Sequence, residues 1–130
     1  MVKRILVVCT HNSARSQIAE AYLRHFLAGK AEVHSAGTEP RGVHPLAQQV
    51  MSEEGFDLST HTSDSIEKYL GQPWDYVITV CDHARETCPY VPAQHNLHVS
   101  FPDPSQGDIE LFRAVRDAIR DWAQRFAETV

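Results

Sequence analysis

The chain has 130 residues, 42% of them hydrophobic and 22% charged, with a formal net charge of −5. That length fits one domain, residues 1–130, large enough to bury its own core without covalent staples. The negative balance argues against nucleic acid or an anionic membrane as the main partner, and no stretch approaches the about 20 apolar residues that a membrane span needs.

The start, Met1 to Cys9, lacks the length and small-residue cleavage pattern of a signal peptide, so a cytoplasmic location is expected. The cysteines are Cys9, Cys81 and Cys88, an odd number. In a reducing compartment such thiols serve catalysis or metal binding more readily than a permanent disulfide framework.

In chain order, Ile5 to Val8 is a continuous β-branched and aliphatic run, the pattern of a strand buried on both faces. Ala14 to Ala28 reads as a helix, with Ile18, Tyr22 and Phe26 on one stripe and Gly29 as its stop. Glu32 to Ala36 reads as a second strand ended by Gly37. Pro45 opens a helix carrying Leu46, Val50 and Met51, and Gly55 closes it. A short helix is expected around Thr62 to Tyr69, capped by Ser63 or Asp64. Tyr76 to Val80 reads as a buried strand and Leu97 to Phe101 as a weaker one. Asp108 then caps a long helix with Phe112, Val115, Ile119, Trp122 and Phe126 on its apolar face.

Strands alternate with helices, with no repeat and no dividing linker. This predicts a doubly wound α/β domain: a four-stranded parallel sheet with helices on both faces. Such sheets bind ligands beyond the carboxyl ends of their strands. Cys9, Cys81 and Asp103 all follow expected strands, so they converge on one rim.

The segment Cys9, Thr10, His11, Asn12, Ser13, Ala14, Arg15, Ser16 joins the first strand to the first helix. A loop there turns backbone N–H groups inward at a helix N-terminus, which makes an anion site. The same dipole favours the thiolate of a cysteine held there. The planar fork of Arg15 can hold two oxygens of a tetrahedral oxyanion, and Ser16 can donate its hydroxyl to the thiolate. Asn12 tolerates the left-handed backbone of a tight cradle. Read singly, Cys9 would be a small buried hydrophobe and Arg15 a surface residue; the spacing of the two across a strand–helix junction favours chemistry.

Asp103 stands in Phe101-Pro102-Asp103-Pro104, which by itself is also a common turn. Cys81 and Cys88 could be unrelated cysteines. A metal site with His83 and His95 is disfavoured, because a seven-residue step is not a standard zinc-ligand spacing. Three thiols do permit a disulfide to be handed on by exchange.

Val7-Val8-Cys9 through Arg15-Ser16, followed by Ile18-Ala19-Glu20, resembles the low-molecular-weight protein tyrosine phosphatases. The resemblance is closer to their thioredoxin-coupled arsenate reductase relatives, which carry Asn-Ser-Ala-Arg-Ser-Gln where this chain has Asn12 to Gln17. They also carry a Cys-x6-Cys pair where this chain has Cys81 and Cys88. One departure is His11, where many members carry glycine; a bulky side chain there would strain the loop or narrow its mouth. Asp103-Pro104 is followed by Ser105-Gln106-Gly107, without the aromatic residues of a phosphotyrosine pocket.

The resemblance implies that Cys9 attacks arsenate bound by residues 10–16, that Asp103 protonates the leaving oxygen, and that Cys81 and Cys88 carry a disulfide relay reduced by thioredoxin. It implies a structural potassium ion held by Asn12, Glu20, Ser35, Thr62 and Asp64, and no tightly bound cofactor. A monomer is expected, since no seam for self-association is evident. Competing expectations are a phosphatase acting on phosphotyrosine or small phosphoesters, and a non-catalytic thiol sensor of metalloid or zinc.

Overall fold

The computed structural model describes residues 2–80, 91–104 and 106–130. Its elements are β1 (Lys3–Cys9), α1 (Arg15–Phe26), β2 (Ala31–Gly37), α2 (Pro45–Glu53), a 3₁₀ turn (Ile66–Tyr69), β3 (Tyr76–Thr79), β4 (His95–His98) and α3 (Ile109–Ala127). The strands form one parallel sheet in the order β2-β1-β3-β4. The first connection runs outward to β2, and the chain then returns past β1 to reach β3. The carboxyl end of β1 thus lies at the point where strand order reverses, where open α/β sheets place their ligands.

Ile5, Leu6, Val7 and Val8 of β1 are fully buried, so both faces of the central strand are covered. Burying a side chain of this kind contributes roughly 1.5–3 kcal/mol. On the next strand, side chains alternate: Val33 and Ser35 share one face, and His34 faces the other, where its ring meets Tyr69 and Trp74. The three α-helices among the described residues pack against one another. Ile18 and Leu23 of α1, Val50 and Met51 of α2, and Phe112 and Ile119 of α3 are fully buried between these layers.

An ion-paired clamp joins α2 to α3. Arg116, almost wholly buried, donates Nη1 to the Val50 carbonyl at 2.9 Å and to Glu53 at 2.9 Å. That carbonyl lies in the last turn of α2, where no helical N–H remains to satisfy it. Arg113 adds a bond from Nη2 to Glu53 at 2.6 Å and pairs with Glu110.

Some boundaries differ from expectation. The last strand is His95–His98, not Leu97–Phe101, because its ladder with β3 ends where Thr79 faces His98. Beyond it the chain turns away, and the Phe101 carbonyl accepts instead from Arg15. The helix expected from Thr62 is only the 3₁₀ turn Ile66–Tyr69, capped by Ser65 Oγ. Ser63 and Asp64 do not cap it: Ser63 Oγ donates to the His11 carbonyl, and the Asp64 carboxylate accepts from Thr62 and Tyr69. Helix α1 ends at Phe26, before a turn in which Gly29 takes a positive φ.

Candidate active site

The site is built where β1 runs into α1. Cys9 is the last residue of β1 and Arg15 the first of α1. Between them, successive carbonyls are held from outside. Cys9 O accepts from Thr38 N–H at 3.3 Å, Thr10 O from Glu39 at 2.7 Å, His11 O from Arg41 at 3.0 Å, and Ser13 O from His44 at 2.9 Å. Every described peptide is trans, and a planar trans peptide sets its C=O and N–H on opposite sides. Fastening these carbonyls to the 38–44 strap therefore aims the N–H groups of Thr10, His11, Asn12 and Ala14 the other way, as an anion cradle requires.

Two residues let the loop and its strap lie so close. Asn12 adopts φ 47°, the left-handed backbone foreseen for it. A Cβ on Gly37 would stand 2.7 Å from Thr10 O and 2.9 Å from Asn12 N, both backbone atoms, so no side chain fits there.

Helix α1 opens onto this loop without a cap. Ala14 offers no side-chain acceptor, and the first turn holds no acid. Its N–H groups and the positive end of its dipole are left for a bound anion. Basic Arg24 and His25 occupy the opposite end.

Arg15 reaches across to the loop after β4. Nη1 donates to the Phe101 carbonyl at 3.1 Å, and Nη2 stands 3.7 Å from Asp103 Oδ2. The Arg15 side chain is 13% exposed and that of Asp103 55%, so a sheltered cation sits beside a solvent-facing carboxylate. Pro102 and Pro104 flank Asp103, and Gly107 N–H closes the following turn on the Pro104 carbonyl at 2.8 Å.

His11 neither strains the loop nor needs a glycine's conformations, since Asn12 alone among the described non-glycine residues has positive φ. Its ring lies 3.1 Å from the Glu39 carbonyl, on the strap side. Because a carbonyl only accepts, Nδ1 carries the proton there. Ser16 corrects the expectation for it: its hydroxyl donates to Asn12 Oδ1 at 2.8 Å rather than to Cys9. The left-handed turn at Asn12 brings that oxygen over the first turn of α1, four residues before Ser16.

Behind the loop lies a polar group in which the motif residues Gln17 and Glu20 meet His61. Gln17, fully buried, donates Nε2 to Asn12 O at 3.0 Å and to Thr62 O at 2.9 Å. Its Oε1 accepts from His61 Nδ1 at 3.0 Å, and the same ring nitrogen stands 3.1 Å from Glu20 Oε2. Burial pushes the His61 imidazole below its ordinary range, against the pull of Glu20. Gln17 belongs to the motif, but only its burial shows a role; His61 carried no sequence signal.

Glu20, Thr62 and Asp64 line one cavity of about 200 Å³ together with Arg24, His34, His61, Lys68 and Tyr69. Nearby, Asn12 Nδ2 donates to the Ser35 carbonyl at 3.3 Å, and Ser35 Oγ is buried without a hydrogen-bond partner. Tyr69, which donates to Asp64, is pushed up to about 12 by burial and by that carboxylate, so it stays a neutral donor. Among the described residues no cluster of His, Cys, Asp and Glu suits a metal ion of the zinc type. Cys81 and Cys88 lie outside the described residues, as does His83.

A cysteine at a strand end, a loop of outward carbonyls, an uncapped helix start and an arginine at its first position define a thiol enzyme class that handles tetrahedral oxyanions. The family model for low molecular weight phosphotyrosine protein phosphatase matches residues 4–130, and the chain belongs to that family. Similar relatives include an arsenate reductase of Bacillus cereus, 42% identical, with 98% of this chain and 96% of the relative covered. Another is an arsenate reductase of Halalkalibacterium halodurans, 41% identical with the same coverage. Among solved structures, an arsenate reductase in the phosphate-binding state superposes with a TM-score of 0.87 at 32% identity, over 99% of each chain. No helix among the described residues is long and apolar enough to cross a membrane.

Proposed function

We propose that this protein reduces arsenate to arsenite through Cys9 and a relay of cysteines. The observation that carries the reading is the Cys9 loop, closed over an uncapped helix start, in a chain matched over nearly its whole length by arsenate reductases. The loop amides and Arg15 hold the oxyanion. The Cys9 thiolate attacks arsenic, and the departing hydroxide takes a proton from Asp103 and leaves as water. Asp103 is placed for that role, its carboxylate standing 3.7 Å from Arg15 Nη2 at the mouth of the loop.

The Cys81 thiolate then attacks Cys9 Sγ. The sulfur–arsenic bond breaks, its electron pair stays on arsenic, and arsenite departs. Attack of Cys88 on Cys81 frees the Cys9 thiolate and leaves a Cys81–Cys88 disulfide, which a dithiol protein of the thioredoxin class reduces. The cytoplasm, where thiols are kept reduced, is the compartment this cycle needs, and a monomer is sufficient for it.

The donors behind the loop suit a potassium ion. Ser35 Oγ is an orphaned buried oxygen, and Glu20, Thr62 and Asp64 supply hard oxygen atoms to the adjoining cavity. Asn12 and Ser35 would complete the set. Such an ion would brace the loop from behind, sharing Glu20 with Arg24 and Asp64 with Lys68. Melting temperature compared in potassium and in sodium tests this: higher stability in potassium supports the site, and indifference to the exchange removes it.

The relay is tested by anaerobic incubation of reduced protein with arsenate, followed by mass mapping. Stoichiometric arsenite and cysteine pairs among 9, 81 and 88 are expected. Cys88→Ser should complete one turnover without cycling; normal cycling with thioredoxin would overturn the relay. If a Cys81/Cys88 double serine variant hydrolyses a phosphoester while wild-type protein yields no arsenite, the chain is a phosphatase instead.

A further inference from the structure

The carbonyls that orient the Cys9 loop are not all held in the same way. Those of Cys9, Thr10, His11 and Ser13 accept from backbone N–H groups of the strap. The carbonyl of Asn12, the residue with positive φ, accepts from a side chain, Nε2 of Gln17 at 3.0 Å. We propose that Gln17 is a positioning residue for oxyanion binding: by pinning the Asn12 carbonyl behind the loop, it aims the Ser13 N–H at the anion. The proposal rests on reading the Cys9 loop as the oxyanion site.

Three features support the assignment. Gln17 is fully buried, so its amide meets no competing water. Its hydrogen-bonding groups are engaged on more than one side: Nε2 reaches Asn12 O and Thr62 O, and Oε1 accepts from His61. The amide cannot flip, because His61 Nδ1 carries a proton for Glu20 and Gln17 Oε1, while both carbonyls require a donor. Finally, the peptide it holds joins the left-handed residue to Ser13. That is the peptide whose orientation the strap controls least, since Gly42 and Val43 separate the Arg41 and His44 contacts.

The test compares wild type, Gln17→Met and Gln17→Glu, which keep the side chain's length and remove its N–H groups. Ile119→Ala, in the buried face of α3, serves as a control for lost stability. Inorganic phosphate is the probe, with binding followed by calorimetry. A second readout is the pH profile of Cys9 carboxymethylation. Both Gln17 variants should bind phosphate roughly tenfold or more weakly, since two buried carbonyls lose their donor and the loop re-aims. Their carboxymethylation profiles should move to higher pH, whereas Ile119→Ala keeps the wild-type affinity and profile.

Unchanged affinity and profile in the Gln17 variants would overturn the proposal, as would losses equal to those of Ile119→Ala. The unaltered protein supplies an independent check, should the variants not fold. The Gln17 side-chain amide proton resonances should exchange slowly and shift as phosphate is added; resonances that do not respond would also overturn it. Wild-type protein that fails to bind phosphate would instead sink the oxyanion reading itself.

Discussion

Helix α3 begins on Asp108, whose carboxylate accepts from Leu111 N–H at 3.1 Å, with Glu110 in the first turn. Helix α1 begins on Ala14, with no side-chain cap and no acid to meet its dipole. The same backbone groups are exposed at both starts. At α3 the chain's own carboxylates take one of these donors and face the positive end of the dipole, which stabilises the helix and disfavours an anionic ligand. At α1 no side chain caps them, the neighbouring carbonyls are fastened outward, and the helix start is open to the proposed oxyanion. Helix α2 stands with α3: Pro45 fills its first position and His44 Nδ1 accepts from Leu46 N–H.

The contrast can be broken most severely from the strap. Gly37→Ala drives a Cβ into Thr10 O and Asn12 N. We expect a loss of about 2 kcal/mol in denaturant unfolding, with phosphate binding abolished by calorimetry, because backbone atoms must move. A smaller loss that leaves phosphate affinity intact would mean that the loop does not depend on that close approach.

Giving α1 the kind of cap that α3 has should come next. Ala14→Asp places a carboxylate where the anion belongs, and phosphate should bind about tenfold more weakly or worse while the fold remains intact. Unchanged phosphate affinity would show that the open helix start is not used. The reciprocal change, Asp108→Ala, should cost about 1 kcal/mol of stability and leave phosphate affinity where it was. Loss of anion binding in that variant would erase the distinction between the two helices.

The smallest effect expected concerns the clamp between α2 and α3. Glu53 is held down to about 2, first by its hydrogen bond to Arg113. A carboxyl depressed on folding adds stability above its unfolded range, near pH 4.5, and loses it as pH falls toward 2. The stability gap between wild type and Glu53→Gln should therefore be widest at neutral pH and close across that interval. A gap independent of pH in denaturant titrations would assign the clamp to packing instead. The group is solvent-facing, so salt should narrow the gap as well.

The elements were legible in the sequence wherever one physical rule acted alone. The β-branched run of β1, the stripe of α3 and the Asp108 cap needed only local patterning. The Cys9–Arg15 spacing, placed between a strand and a helix, was enough to single out the loop proposed to hold the oxyanion. Ser63 was misread because a tertiary partner, the His11 carbonyl, outbid the local cap, whereas Ser16 and Asp64 are engaged by near neighbours along the chain, Asn12 for Ser16 and Thr62 for Asp64. The start of β4 was missed because its polar residues, His95 and Asn96, are defined by pairing with Tyr76 and Val77.

By itself the sequence determined the order of strands and helices and set a cysteine and an arginine at the two ends of the loop between β1 and α1, since periodicity and spacing are properties of neighbours along the chain. Only the tertiary structure decided how the loop is oriented. The strap reaches the loop from elsewhere in the chain, Gln17 turns back on it from the first turn of α1 with distant His61 holding its oxygen, and a hydrogen bond depends on distance and direction in space, which residue type alone does not encode.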